Sequence, residues 1–301
     1  MPVRLLVTGA RGQLGTEVIA RAVVLGLPVT GLGSGELDIT DGDAVAATMT
    51  AFAAADPATR GVIVNCAAYT AVDAAESDVG GARAVNEDGP RLLAEQAARL
   101  GLGLIHVSTD YVFPGDGVTP YETDDPTGPR SVYGITKLAG EEAVRAAYPG
   151  AQVVRTSWVY GATGANFVKT MVRLAAVHPT ITVVDDQRGA PTYAADLAAG
   201  LVELAGADLP GGVLHATGAG ETTWWGFARA IFAQVGADPE RVLPTTTAEF
   251  PRPAPRPAYS VLSNRAWADS GLTPLPDWRA ALQTAFDVSG ADFMPPPADT
   301  R

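Results

Sequence analysis

The chain has 301 residues, 47% of them hydrophobic, with 21 basic against 33 acidic side chains and a formal net charge of −12. Such a composition predicts one large or two modest folded domains and excludes global disorder, and its acidity offers no electrostatic footprint for nucleic acid. No run is long and apolar enough to span a bilayer, no basic amphipathic stretch suits a membrane surface, and the N-terminus does not read as a signal peptide, so a cytoplasmic protein is expected.

Residues 3–7 form a short apolar run, followed by glycines and a helical stretch over 13–25. The pattern then repeats. An apolar run at 27–32 precedes an alanine-rich helix to about residue 55, which Asp41 or Asp43 could cap. Further apolar runs at 62–66, 104–107 and 152–156 are separated by helices over 81–100 and 131–147. The single cysteine, Cys66, lies in one of these runs, which excludes an internal disulfide and predicts a small buried residue. Short apolar strands alternating with helices predict an α/β fold built on a doubly wound parallel Rossmann sheet. Beyond Trp158 the rhythm loosens into a helix at 167–176, a strand at 181–184, a helix at 194–204 and a strand at 213–215. Thr222 or Thr223 could cap a further helix to Val235, residues 244–257 are a proline-rich loop, and the tail over 294–301 is expected to fray.

Gly9, Gly12 and Gly15 follow the first strand and open the first helix. In that position the first glycine permits a tight turn, the second lets backbone approach a pyrophosphate, and the third lets helix pack on strand. The end of the second strand, Leu32-Gly33-Ser34-Gly35, carries no acid to grip a ribose 2′-OH, and Arg11 sits within the glycine loop. Arg11 either meets a 2′-phosphate or is simply solvated. The first alternative favours NADPH, with NADH possible. The organisation expected is a dinucleotide-binding domain over 1–160, to which strands near 181–184 and 213–216 return, and a smaller, mainly substrate-binding lobe over 161–301.

Tyr133 and Lys137 lie four residues apart at the start of a helix, hence on one face. A lysine ammonium beside a phenol lowers the phenol pKa, which would let Tyr133 exchange a proton with a carbonyl oxygen. The chain has only two lysines, Lys137 and Lys169, against nineteen arginines. An arginine would not serve here, because its charge is spread over a rigid fork. Ser108 and Thr109 end the fourth strand, at the sheet edge where ligands bind, and either hydroxyl is a candidate partner for a substrate oxygen or a simple turn former. His106, His178 and His215 show no metal-ligand spacing, and no metal site is expected.

Taken together these residues resemble the dTDP-4-dehydrorhamnose reductases, of the extended short-chain dehydrogenase/reductase type. The resemblance runs through the 9–15 loop, Asn65 to Asp73 with Glu76, Ser108 to Phe113, Tyr133 to Glu141, Arg155 to Tyr160, Asn166 to Met171, Asp186 to Thr192, and Arg256-Pro257. It implies NAD(P)H-dependent reduction of the C4 keto group of dTDP-4-dehydro-L-rhamnose, with the proton from Tyr133. It places Gly12, Gln13 and Leu14 at the cofactor diphosphate, Asp38 and Ile39 at the adenine end, Ala68, Tyr69 and Thr70 beside the cofactor, and Val107 near the nicotinamide. Thr109 would tune Tyr133, Asp110 would lie beside the sugar, and Trp158 would pack on it or only between the lobes. Asn166 and Arg256 are implied at the nucleotide diphosphate. Glu17 matches one position of a magnesium-linked dimer, but Ala195 stands at another, so a monomer and a homodimer are both open. Two alternatives accompany this expectation. One is a non-catalytic nicotinamide-binding regulatory subunit like that of methionine adenosyltransferase. The other is a reductase of a different nucleotide 4-keto deoxysugar.

Overall fold

Strand β1 (Val3–Thr8) is fully buried and alternates between two cores. Leu5 and Val7 join one hydrophobic cluster, whereas Leu6 joins another. That period of two is what a parallel sheet covered on both faces demands. The computed structural model describes residues 3–294. Of the tail expected to fray, all but Met294 lies outside the described residues.

The first half of the chain supplies α1 (Gln13–Val24), β2 (Val29–Leu32), α2 (Gly42–Ala55), β3 (Arg60–Asn65), α3 (Gly89–Leu100), β4 (Gly103–Thr109), α4 (Val132–Ala147) and β5 (Gln152–Thr156). The second half supplies α5 (Phe167–Val177), β6 (Ile181–Val184), α6 (Ala194–Gly206), β7 (Gly212–His215), α7 (Trp224–Gln234), β8 (Val242–Thr245) and α8 (Trp278–Phe293). Six strands form one parallel sheet in the order β7-β5-β4-β3-β1-β2. Helices α1 and α6 cover one face through Val18, Leu197 and Leu201, and α2, α3 and α4 cover the other through Met49, Leu93 and Val144. The strand order reverses between β1 and β3, which opens a crevice at the carboxyl edge of the sheet.

Strand β7 does join this sheet, beside β5. Strand β6 does not return to it, contrary to the sequence-based expectation. It pairs in parallel with β8, in a separate two-stranded sheet. The reason is packing. Val183 is buried in a third cluster with Val172 of α5, Phe227 and Ile231 of α7 and Trp278 of α8, and that cluster has its own apolar demand to satisfy. The proline-rich loop begins within β8, and α8 occupies a stretch to which the sequence pattern assigned no element.

The helix expected over 81–100 is interrupted. Residues Ala84–Asp88 form a π-helical turn between Val79–Arg83 and α3. Its Asn86 is fully buried and bonds both the N–H and the carbonyl of Tyr69, as well as the Thr136 hydroxyl of α4. Two glycines let α4 sit down on this framework. A Cβ on Gly134 would lie 2.3 Å from the Tyr111 carbonyl oxygen, and one on Gly140 would lie 2.0 Å from that of Asn86. The start of α4 is capped twice, by the Ser131 hydroxyl accepting from Gly134 N–H and by Glu76 accepting from Val132 N–H.

One buried ion pair locks α4 to β5. Glu141 and Arg155 meet at 2.7 Å with side chains 2% and 4% exposed, and Arg155 also donates to the Thr123 carbonyl and lies over the Phe113 ring. Removing one partner strands the other charge in the core. Glu141→Gln and Arg155→Met should each lose on the order of 3–5 kcal/mol in urea unfolding, and the double variant should lose less than the sum.

Candidate active site

The crevice is a cleft of about 680 Å³ that runs from the end of β2, past the glycine loop, to the aromatic pair Trp158 and Trp224. Its floor is the carboxyl edge of β1, β3, β4 and β5. The glycine loop closes tightly over this edge. Gly9 has φ of 65°, and a Cβ there would lie 2.5 Å from the Ala67 nitrogen, while one on Gly15 would lie 2.3 Å from the Gly9 carbonyl oxygen. Exposed Gly12 is the N-cap of α1, with no side-chain cap and no acid in the first turn. The first-turn N–H donors of α1 therefore have no competing side-chain acceptor beside the cleft, which suits a diphosphate.

Gly9, Arg11, Gly12, Gln13, Leu14, Asp38, Ile39, Ala68, Thr70, Val107, Tyr133 and Lys137 all line this cleft, as do Thr109, Asp110 and Trp158. Tyr69, Asn166 and Arg256 do not line it. Tyr69 is held by its backbone to Asn86, so it shapes the loop after β3 from behind. The Asn166 side chain caps α5 and donates to Gln13 Oε1 at 3.0 Å and to the Gly161 carbonyl, which leaves it acting on the cleft only through Gln13. Arg256 pairs with Asp73 at 2.9 Å and lines a smaller neighbouring cavity of about 140 Å³. Asp73 also accepts from the Ala254 N–H, so Asp73 and Arg256 together tie the proline-rich loop to the wall after β3.

Sequence reasoning missed Glu36. Its carboxylate accepts from Gly33 N–H at 2.8 Å and pairs with exposed Arg11 at 2.5 Å. The tip of β2 thus does carry an acid, folded back from three residues further on, and Arg11 is engaged by it. Trp224 was missed as well. It stacks on Trp158 with ring centroids 3.6 Å apart and planes within 8°. Trp158 itself has φ of 48°, a left-handed conformation that an indole adopts only when held. The stack holds it, and Gly189 lies close against the ring, where an added Cβ would fall 2.4 Å from it. A pair of tryptophans directly after a threonine cap was the available signal.

Tyr133 is half-buried and meets Tyr111 edge to face. Burial pushes its phenol up to about 12, the neighbouring Thr109 hydroxyl acts in the opposite direction, and Asp110 adds to the rise. The expectation that Lys137 lowers this pKa is not met. The Lys137 amine donates instead to the Val107 carbonyl at 2.7 Å, and burial brings it down to about 8. Thr109 Oγ1 donates to Asp110 Oδ1 at 2.9 Å and accepts from Tyr111 N–H. Ser108 Oγ and Asp110 Oδ2 are buried with no hydrogen-bond partner. Cys66, also on the cleft, is pushed up to about 12 by burial, which leaves a protonated thiol.

A six-stranded doubly wound sheet with a glycine loop after β1 and Tyr-x-x-x-Lys at the edge of β4 defines a reductase of the extended short-chain dehydrogenase type. Residues 3–290 match the family described as the RmlD substrate binding domain, and the chain belongs to that family. It is 54% identical over 290 residues to the dTDP-4-dehydrorhamnose reductase of Mycobacterium tuberculosis, covering 94% of this chain and 92% of that one. It is 50% identical over 299 residues to a probable dTDP-4,6-dihydroxy-2-methyloxan-3-one 4-ketoreductase of Streptomyces antibioticus, covering 97% and 98%. The crystal structure of dTDP-4-dehydrorhamnose reductase from Bacillus anthracis in complex with NADP is similar with a TM-score of 0.90 at 35% identity, covering 96% of this chain and all of that one. Among the described residues no helix is long and apolar enough to cross a membrane.

Burial raises the Asp110 carboxyl to about 6, against the bond it accepts from the Thr109 hydroxyl. The folded chain therefore holds a proton that the unfolded chain has released, and stability from this group falls as pH rises from about 4 to about 6. Asp110→Asn should remove that fall. Its stability relative to wild type should improve across this window by up to about 3 kcal/mol and level off above it, read from urea unfolding at several pH values.

Proposed function

We propose that this chain is an NADPH-dependent oxidoreductase that reduces the C4 keto group of dTDP-4-dehydro-L-rhamnose to give dTDP-L-rhamnose. The observation that carries the proposal is that Tyr133, Thr109 and Lys137 line the same cleft as a glycine loop built for a dinucleotide. Gly9, Gly12, Gln13 and Leu14 would hold the diphosphate, Arg11 the 2′-phosphate of NADPH, Asp38 and Ile39 the adenine end, and Ala68, Thr70, Val107 and Lys137 the nicotinamide half. NADH fits the same cradle. When bound, the reduced nicotinamide supplies a hydride.

The chain's own residues supply the proton and the orientation. A phenol with a pKa near 12 is protonated at neutral pH. It is then a hydrogen-bond donor to the ketone and a proton donor to the alkoxide, which is the stronger base. Thr109, whose proton goes to Asp110, would orient the Tyr133 hydroxyl, and the unpartnered Ser108 hydroxyl would be a further donor to that oxygen. Asp110 would lie beside the sugar, and Trp158 would offer an apolar surface to a methyl-bearing deoxysugar. Binding energy from the nucleotide would fix the sugar against these groups.

The non-catalytic alternative needs no assembled donor set, and the intact one here argues against it. The 4-ketoreductase relative at 50% identity supports a second substrate assignment, another dTDP-linked 4-keto deoxysugar. NADPH oxidation with a panel of such sugars separates the two. The division into a dinucleotide-binding part over 1–160 and a mainly substrate-binding part over 161–301, a cytoplasmic location, and function as a monomer or homodimer belong to the same proposal.

Tyr133→Phe should lower turnover by about two to four powers of ten with NADPH affinity kept, since the ring stays and only the acid is lost. Near-normal turnover would remove Tyr133 from its role. The Arg11–Glu36 pair sets a second expectation. Glu36→Gln frees Arg11 and removes a negative charge, so kcat/KM for NADPH over NADH should rise several-fold, and in Arg11→Ala it should fall. An unchanged ratio in both variants would separate this pair from cofactor choice.

A further inference from the structure

Beneath Lys137 lies a row of polar side chains that the mechanism above does not use. Thr8, Asn65 and His106 occupy matched positions on β1, β3 and β4. All three are at most 1% exposed, as is Lys137. Thr8 Oγ1 donates to Asn65 Oδ1 at 2.7 Å, and the Ala67 N–H donates to the same oxygen at 3.1 Å. The Asn65 amide nitrogen lies 3.0 Å from His106 Nδ1, and His106 Nε2 lies 3.5 Å from Lys137 Nζ.

The donors in this row leave one consistent assignment. A backbone N–H can only donate, so the atom it meets on Asn65 is the oxygen. The other end of that amide is then the nitrogen, which also only donates, and His106 Nδ1 must accept. A neutral ring that accepts at Nδ1 carries its proton on Nε2. A second proton on the ring is disfavoured, because burial and then the Lys137 charge hold His106 well below the usual histidine range. The Nε2–H thus faces Nζ. An ammonium there meets the positive end of an N–H, whereas a neutral amine offers it a lone pair.

We propose that His106 is a positioning residue for Lys137: the Thr8–Asn65 pair fixes its ring with the proton on Nε2, and this N–H, facing Nζ, favours the neutral amine over the ammonium. The other groups facing Lys137 act the opposite way. Glu141, one turn along α4 and paired with Arg155, and the Val107 carbonyl that accepts from Nζ both favour the ammonium. Burial and the histidine N–H oppose them. The consequence for catalysis rests on the reductase reading above, in which Lys137 belongs to the nicotinamide half of the cleft. The tautomer and the lysine titration are properties of the free chain and are tested without turnover.

With three histidines and two lysines, the full chain labelled with ¹⁵N-histidine and ¹³C-lysine gives few resonances, and Lys169→Arg assigns the lysines. His106 should be neutral with its proton on Nε2 between about pH 5 and pH 9, and Lys137 should titrate below the ordinary lysine range. Asn65→Asp keeps the acceptor for Thr8 and Ala67 but turns its other atom into an acceptor. The ring proton should move to Nδ1, the Nε2 lone pair should face Nζ, and the Lys137 titration should rise by about one pH unit or more. The Asn65→Asp/His106→Gln double variant carries the new charge without a ring that can switch, and its shift should be less than half as large. The pH profile of kcat should move with the lysine.

A proton found on Nδ1 in the wild type, a His106 that titrates within that window, or a full-sized shift in the double variant would each overturn the proposal. The wild-type spectrum decides even where a variant fails to fold. Failure of the pH profile alone, with the titrations as predicted, would count against the proposed place of Lys137 at the nicotinamide instead.

Discussion

A lysine buried to 1% exposure at the carboxyl edge of a parallel sheet is the constraint around which this molecule is arranged. A buried ammonium is expensive unless its hydrogen bonds are met and its charge is answered. Here its nearest strong acceptor is a backbone carbonyl, that of Val107, and the answering charge is Glu141, which is itself spoken for by Arg155. The ion pair therefore does more than join α4 to β5. It holds a carboxylate near Lys137 without letting the two neutralise each other directly. The close approaches at Gly134 and Gly140 bring α4 near enough to the sheet for the lysine to reach β4 at all.

The same burial decides what Tyr133 can do. A lysine–tyrosine pair at helical spacing suggests a phenol made acidic by its neighbour. In the fold the lysine turns to β4, and desolvation raises the phenol instead. For carbonyl reduction this is no handicap, because the protonated phenol is the form that donates. An oxidation running in reverse would need the phenolate and would depend far more on Lys137.

The parallel sheet, the glycine loop and the Tyr133–Lys137 pair were legible in the sequence because each rests on local spacing: period two in the strands, three glycines between strand and helix, four residues along one helix face. Glu36 was not legible, since its role depends on a turn that folds it back over Gly33 and onto Arg11. Trp224 lies 66 residues from Trp158 and meets it only through the packing of the second lobe. The π-turn at Ala84–Asp88 leaves no trace in hydrophobic periodicity, yet it sets the position of Asn86 and through it the loop holding Tyr69. Strand β6 looked like any other short apolar run. Its partner was settled by which cluster could bury Val183. Asn166 and Arg256 carry suitable chemistry for a diphosphate, but a helix cap and Asp73 claim them first.

The central claim is that the cleft brings a reduced nicotinamide and the C4 ketone of a nucleotide sugar to opposite sides of one transfer, with Tyr133 closing it. The most direct measurement follows the hydride itself. NADPH deuterated at the transferring position is incubated with this chain and dTDP-4-dehydro-L-rhamnose, and the product is examined by NMR. The account predicts deuterium at C4 of the sugar, in proportion to NADPH oxidised. Cofactor oxidation without label at C4, or no oxidation with this or any other dTDP-linked 4-keto deoxysugar, would contradict it.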